Sequence, residues 1–262
     1  MSRIKAVMQN LKEQKRKGLI AYVTAGCPNY DATLQAVEEL EKAGADIIEI
    51  GIPFSDPMAD GPVIQKAAVM ALKEGATTAK TCELIAKIRT KSNVPLVIMT
   101  YINTIINISA ESFIKSFAEA GIDGVIVPDM PIEECSLLEG ICAKEGVDLI
   151  HFAAPTTTPE RISAVCQKAS GFLYCISNTG VTGVRKVDYS EIGAVIKNVR
   201  RHTSIPTAIG FGIGDSVTAV EAARFGDAVI VGSAVMKKLM DLGVGQAAEL
   251  ISAIRGALDR RA

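Results

Sequence analysis

A closed (β/α)8 TIM barrel of the α/β class is the fold this sequence predicts, on three observations. Short apolar runs recur eight times, at residues 19–23, 47–50, 96–99, 125–127, 149–152, 172–176, 207–209 and 229–231. Stretches with apolar residues at helical spacing separate them, at 31–42, 111–120, 131–144, 159–168, 191–201 and 216–225, so the hydrophobic period switches repeatedly between strand and helix. The composition is 48% hydrophobic but only 5% aromatic, with no Trp, which leaves the branched aliphatics of a parallel sheet covered on both faces. Alternation of this kind implies parallel strands, and eight units imply closure. A doubly wound open sheet is the competing architecture. At 262 residues the chain can bury roughly three quarters of its unfolded surface. No linker or composition break divides it, so residues 1–262 read as one domain.

Taken in order, the first segment carries Ile4, Val7, Met8 and Leu11 at helical spacing and runs to about Lys17 before Gly18 breaks it. It predicts an extra N-terminal helix closing the barrel floor. After the second strand two helical stretches, 63–73 and 79–91, stand where one is expected, which predicts an inserted helix. The last strand leads through Gly232 and Ser233 into a helix from Ala234.

Charge and cysteine usage narrow the function classes. Net charge is −1, and the basic run Lys12, Lys15, Arg16 and Lys17 is interrupted by Glu13, as on a solvated helix face, so no nucleic-acid partner is expected. No apolar run approaches the roughly 20 residues of a membrane span, and the N-terminus lacks a signal-peptide core, so a cytoplasmic, membrane-free protein is expected. The six cysteines show no C-x-x-C spacing and His151 and His202 are the two histidines, which argues for free thiols and against a metal site.

The densest chemistry lies at residues 48–61, Ile-Glu-Ile-Gly-Ile-Pro-Phe-Ser-Asp-Pro-Met-Ala-Asp-Gly. Glu49 sits among Ile47, Ile48 and Ile50, where desolvation raises a carboxyl pKa toward neutrality and suits it to general acid/base work. Pro53, Pro57, Gly61 and Pro62 make the following segment a loop, with Asp60 at its end beside a helix start. From spacing alone Glu49 fits a structural acid as well as a catalytic one, and Asp56 and Asp60 fit ordinary turn residues.

Barrel chemistry gathers at the C-terminal ends of strands, which makes a ring of the other candidates. Gly210-Phe211-Gly212 after the seventh strand and Gly232-Ser233 after the eighth offer close-approaching backbone N–H groups and helix N-termini to an anion such as phosphate. Phe211 is either core or a face for an aromatic substrate. The loop at 177–183, which includes Thr182 and Gly183, is small, polar and glycine-hinged and reads as a lid or as an ordinary surface loop. Tyr174 lies on the sixth strand, where a barrel-filling role is the plain reading.

The 48–61 stretch closely resembles the signature of the tryptophan synthase alpha chain family. The likeness extends to 22–28, 99–103, 127–134, 154–161, the Gly-Val-Thr-Gly core at 180–183 and the two glycine loops. It implies cleavage of indole-3-glycerol phosphate to indole and glyceraldehyde 3-phosphate by a carbon–carbon lyase of tryptophan biosynthesis. By the same resemblance Glu49 and Asp60 flank the indole, Tyr174 helps hold the substrate, and the loop with Thr182 and Gly183 covers it. Met99, Phe152 and Phe211 are expected to sandwich the ring, and Gly212, Gly232 and Ser233 to take the phosphate. No cofactor is expected in this chain. A pyridoxal-phosphate-dependent beta chain is the implied partner, in an alpha2beta2 assembly, docking on the loop that carries Pro53 and Asp56. Cys27, Thr104 and His151 depart from the family pattern, none of them in the acid pair. A standalone indole-releasing lyase, a catalytically silent allosteric subunit and another phosphosugar barrel enzyme are the alternatives.

Overall fold

The computed structural model describes residues 2–177 and 188–260. Eight parallel strands close in sequence order into a barrel, with β8 returning to β1. The first half runs α1 (Arg3–Glu13), β1 (Gly18–Thr24), α2 (Tyr30–Lys42), β2 (Ile47–Gly51), α3 (Pro62–Lys73), α4 (Thr78–Arg89), β3 (Leu96–Met99), α5 (Ile102–Ile108), α6 (Ala110–Ala120) and β4 (Gly124–Ile126). The second half runs α7 (Ser136–Glu145), β5 (Asp148–Ala153), α8 (Pro159–Lys168), β6 (Leu173–Ile176), α9 (Ser190–His202), β7 (Thr207–Gly210), α10 (Ser216–Ala223), β8 (Ala228–Val231), α11 (Ser233–Leu242) and α12 (Val244–Asp259). All eight expected strands are present within a residue or two at each end, and α3 and α4 together fill the β2–β3 connection as expected.

The expected N-terminal helix closes one end of the barrel. Ser2 caps α1 by accepting the Lys5 N–H at 3.2 Å, and Ile4, Met8 and Leu11 form its buried face. These three pack with Ile20, Ile47, Val97, Ile126, Ile150, Phe172, Ala208, Ala228 and Ile230, the inward side chains of the strands. Gly124 permits the contact, since a Cβ there would meet Ile4 Cδ1 at 3.0 Å and the Asp148 carbonyl at 3.1 Å. Side chains alternate along a strand, so inward Ile20 and Ile47 put Tyr22 and Glu49 on the same inner face, two residues nearer the open end. Outward Ile48 and Ile50 join the layer between sheet and helices.

Three boundaries differ from the expectation, each for a local reason. α1 stops at Glu13 rather than near Lys17, because Lys15 takes the left-handed conformation at φ 57°. The stretch 131–144 is split into a 3-10 turn at Ile132–Glu134 and α7. The final helical region is also two helices, α11 beginning at Ser233 and α12 following Gly243, whose φ of 86° breaks the run. The short α5 after β3 carries too little periodic pattern to be read in advance.

Candidate active site

Glu49 stands on the inner face of β2, level with Tyr22 of β1 and Val97 of β3. It is 1% exposed, and its Oε2 has no hydrogen-bond partner among the described residues. A charge left in that position is shielded from water and has no counter-ion among the described residues to stabilise it. Burial, and then the nearby Asp60 carboxylate, push its pKa up to about 8. Near neutral pH the side chain is therefore an acid that still holds its proton.

Asp60 ends the loop between β2 and α3. Gly61 and Pro62 follow as N-cap and first residue of α3, and the Asp60 carbonyl accepts from Gln65 Nε2 at 2.9 Å. Its Oδ2 accepts a hydrogen bond from the Tyr101 hydroxyl at 3.0 Å. Burial raises its pKa to about 6, against the opposing pull of that bond. Two carboxyls in one site thus have separated proton affinities, and near pH 7 one is protonated while the other is ionised.

Both acids line one cavity of about 670 Å³ at the C-terminal end of the barrel. Met99, Phe152, Tyr174, Phe211, Gly212, Gly232 and Ser233 line it too. The Phe152 and Tyr174 rings lie 5.1 Å apart, tilted by 44°. Two strand-end glycines make room for the tyrosines: a Cβ on Gly51 would overlap the Tyr22 hydroxyl, and one on Gly210 would overlap the Tyr174 ring.

The β7 and β8 ends differ in how they can receive an anion. Phe211 and Gly212 both adopt left-handed backbone, φ 74° and 75°, and for Phe this costs roughly 1–2 kcal/mol. The turn is held by Ser177, whose hydroxyl lies within 3.0 Å of the Gly210 carbonyl and 2.8 Å of the Phe211 carbonyl, and by the Tyr189 hydroxyl, which donates to the Gly212 carbonyl at 3.2 Å. Phe211 is 43% exposed and faces the cavity rather than the core. The N-terminus of α10 is already closed by the Asp215–Thr218 capping box, and Thr218 Oγ1 also takes the Gly214 and Asp215 N–H groups. By contrast α11 begins at Ser233 with no side-chain cap, leaving its first-turn N–H groups open toward the cavity.

The profile of the tryptophan synthase alpha chain family matches residues 8–256. The chain is 41% identical over 262 residues to the tryptophan synthase alpha chain of Synechococcus elongatus, covering 100% of this chain and 98% of that one. With the alpha chain of Alkaliphilus metalliredigens the identity is 44% over 239 residues, covering 91% and 90% of the two chains. The chain belongs to the tryptophan synthase alpha chain family. Among solved structures, tryptophan synthase subunit alpha of Legionella pneumophila superposes with a TM-score of 0.92 at 32% identity, covering 99% of each chain. A chain of tryptophan synthase from M. tuberculosis gives 0.90 at 29% identity, covering 98% of this chain and 100% of that one.

Of the residues that likeness to the alpha chain family singled out, Thr182 and Gly183 lie outside the described residues. Pro53 and Asp56 do not line the cavity; Pro53 is half-buried and Asp56 exposed on the loop outside it. His151 lies on the outer face of β5, opposite to inward Ile150 and Phe152, with burial lowering its pKa. Sequence reading missed Tyr22 and Tyr101. Tyr22 shares the inner face through its two-residue offset from Ile20, a signal present in the strand pattern. Tyr101 follows the end of β3, where the strand-end rule points, but nothing in sequence joins it to Asp60.

The shifted Glu49 pKa makes stability depend on pH. Its folded value lies above the unfolded one, so its contribution is fully present below the ordinary glutamate range and is lost as pH rises toward about 8. Glu49→Gln removes that dependence. The melting temperature of the variant relative to wild type should climb from pH 4.5 to about pH 8 and then level off; a constant difference across scanning calorimetry runs would contradict the buried, proton-bearing state.

Proposed function

We propose that the chain carries out the alpha-chain reaction of tryptophan synthase, the cleavage of indole-3-glycerol phosphate to indole and glyceraldehyde 3-phosphate, with Glu49 and Asp60 as the catalytic pair. The observation that carries this reading is the buried, unpartnered Glu49 carboxyl facing the same cavity as Asp60. The reaction is a retro-aldol whose leaving group is ring carbon 3 of indole, and that carbon departs only once protonated. Glu49, still carrying its proton near pH 7, is the acid. Protonation puts positive charge on the ring nitrogen, and the ionised Asp60 stabilises it through a charge-assisted hydrogen bond at the N–H. Glu49, now ionised, accepts the proton of the glycerol hydroxyl as the carbon–carbon bond breaks and the aldehyde forms. Every step uses side chains of this chain.

The remaining lining fits the rest of such a substrate. Met99, Phe152 and Phe211 offer apolar faces to the indole, and Tyr174 stands beside them. Backbone N–H groups around Gly212 and at Gly232–Ser233, with the open start of α11, suit the phosphate. Thr182 and Gly183 are assigned to covering the substrate on resemblance alone.

The partner in this reading is a tryptophan synthase beta chain, which carries pyridoxal phosphate and condenses indole with serine, in an alpha2beta2 assembly. Support comes from the rim. Met58 is 83% exposed on the loop holding Pro53 and Asp56, and Ile106 and Ile108 are exposed on α5. The Ala59 N–H, which donates to the Tyr101 hydroxyl at 3.0 Å, ties the two segments together. Exposed apolar side chains on these two joined segments suit a protein surface better than solvent.

Glu49→Gln should cut indole release roughly 100-fold to 10,000-fold, the usual worth of a positioned acid/base, with the fold kept. In the wild type kcat/KM should be bell-shaped, falling below about pH 6 as Asp60 protonates and above about pH 8 as Glu49 ionises. A variant within tenfold of wild type would remove Glu49 from the mechanism. Gly232→Asp isolates the phosphate end, because a Cβ there makes only ordinary contact with Tyr22 at 3.6 Å, whereas Gly212 would add backbone strain. The variant should weaken glyceraldehyde 3-phosphate far more than free indole; equal weakening in competition assays would cancel the phosphate assignment. Titration with a beta chain should raise indole production, and Asp56→Ala should blunt the rise. No rise at all would favour the standalone lyase.

A further inference from the structure

Tyr101 is 2% exposed and does not line the cavity, so a packing role would account for its ring but not for where its hydroxyl goes. That hydroxyl donates to Asp60 Oδ2 at 3.0 Å and accepts the Ala59 N–H at 3.0 Å. One oxygen therefore grips the carboxylate and the backbone immediately before it. The ring stacks on Phe54, with centroids 5.1 Å apart and planes 20° apart. Phe54 lies at the other end of the same loop, two residues before Asp56. The residue itself is anchored at the end of β3, where the neighbouring Ile102 N–H donates to Asp129 Oδ1 at 2.9 Å.

We propose that Tyr101 is the positioning residue for Asp60: its hydroxyl fixes the carboxylate, and its ring, stacked on Phe54, makes that fix depend on how the loop 52–61 is seated. The inference rests on the catalytic reading of Asp60 above. A partner or ligand that shifts Phe54 thereby moves the Tyr101 ring, and the hydroxyl carries the displacement to the acid at the other end of the loop. The loop has six residues between Ile52 and Ala59 through which such a movement would otherwise have to pass, several of them exposed. Tyr101 short-circuits that path through two rigid rings and one hydrogen bond.

The ionisation of Asp60 supplies a readout that packing alone would not move. The groups that face it are Glu49 on β2, Tyr22 on β1, Tyr174 on β6 and Tyr101 after β3, with Asp129 beyond Tyr101. Among the described residues none of these is a cation. Tyr101 is thus the group that favours the ionised carboxylate, and removing its hydroxyl should raise the Asp60 pKa.

The test compares kcat and KM for indole release from indole-3-glycerol phosphate over pH 5–9 in wild type, Tyr101→Phe and Phe54→Leu, with folding checked by circular dichroism. Tyr101→Phe should move the acid limb of kcat/KM to higher pH and lower kcat at pH 8 by roughly 10-fold to 100-fold, the worth of one hydrogen bond to a charged group. KM should stay within a few-fold, since the residue does not touch the cavity. Phe54→Leu, which keeps an apolar side chain but loses the stack, should shift the same limb in the same direction by less. Acid limbs that coincide with wild type in either folded variant would overturn the proposal. Failure of the underlying reading looks different: wild type would release no indole, or Asp60→Asn would work as well as wild type.

Discussion

The cost of holding a carboxyl group away from water, with no cation to pair it among the described residues, is the constraint around which this molecule is arranged. Glu49 occupies an inner-face position of a closed barrel, between Tyr22 and Val97 on the neighbouring strands. Below it the barrel is filled by aliphatic side chains and closed by α1. That end is closed by packed side chains, and Glu49 opens onto the cavity at the strand ends. The carboxyl responds by keeping its proton to a higher pH than an exposed glutamate does. Asp60 lies partly in the opening and hydrogen-bonds to Tyr101, so it ionises first. The difference in environment, more than the identity of the two acids, gives them separate proton affinities.

The opposite end of the barrel is built on another principle. Asp46, Asp123 and Asp227 each precede a strand, and each accepts the N–H of a residue at the start of the strand before: Leu19, Leu96 and Thr207, at 2.8, 2.9 and 2.9 Å. Ser170 does the same for Leu149 at 2.8 Å. Asp123 is further paired with Arg89 at 2.6 Å and Arg3 at 2.9 Å, which pins α1 to the floor. Here the acids are paired and their hydrogen bonds are satisfied. The buried, unpartnered Glu49 Oε2 faces the other end, as expected of a barrel that separates stability from chemistry.

Between the two ends the strand-end loops divide the cavity's work. The β2 loop brings charge, the ends of β3, β5 and β6 bring apolar and aromatic faces, and β7 and β8 bring backbone N–H groups. Left-handed backbone at Phe211, held by Ser177, turns a large ring out of the core and into this space. That is strain retained where the surrounding hydrogen bonds over-determine it.

Most of this was legible in the sequence because two local signals are strong. The period of the apolar residues distinguishes strands from helices without reference to the fold, and a glutamate inside a run of isoleucines marks itself as costly. The strands, the floor-closing helix, the pair of helices after β2, and the clustering of Glu49, Asp60, Met99, Phe152, Tyr174 and the glycine loops all follow from such signals, helped by the family likeness at 48–61. Helix breaks at Lys15 and Gly243 were not legible, because they depend on single left-handed residues whose conformation the surroundings select. Only the tertiary structure could join Tyr101 to Asp60 across 41 positions or show that α10 is closed by its own capping box while α11 is open. It also put Phe211 in the cavity rather than the core. A sequence records which side chains prefer burial and at what spacing; which hydroxyl reaches which carboxylate is decided by barrel closure, where strand register converts distance along the chain into contact in space.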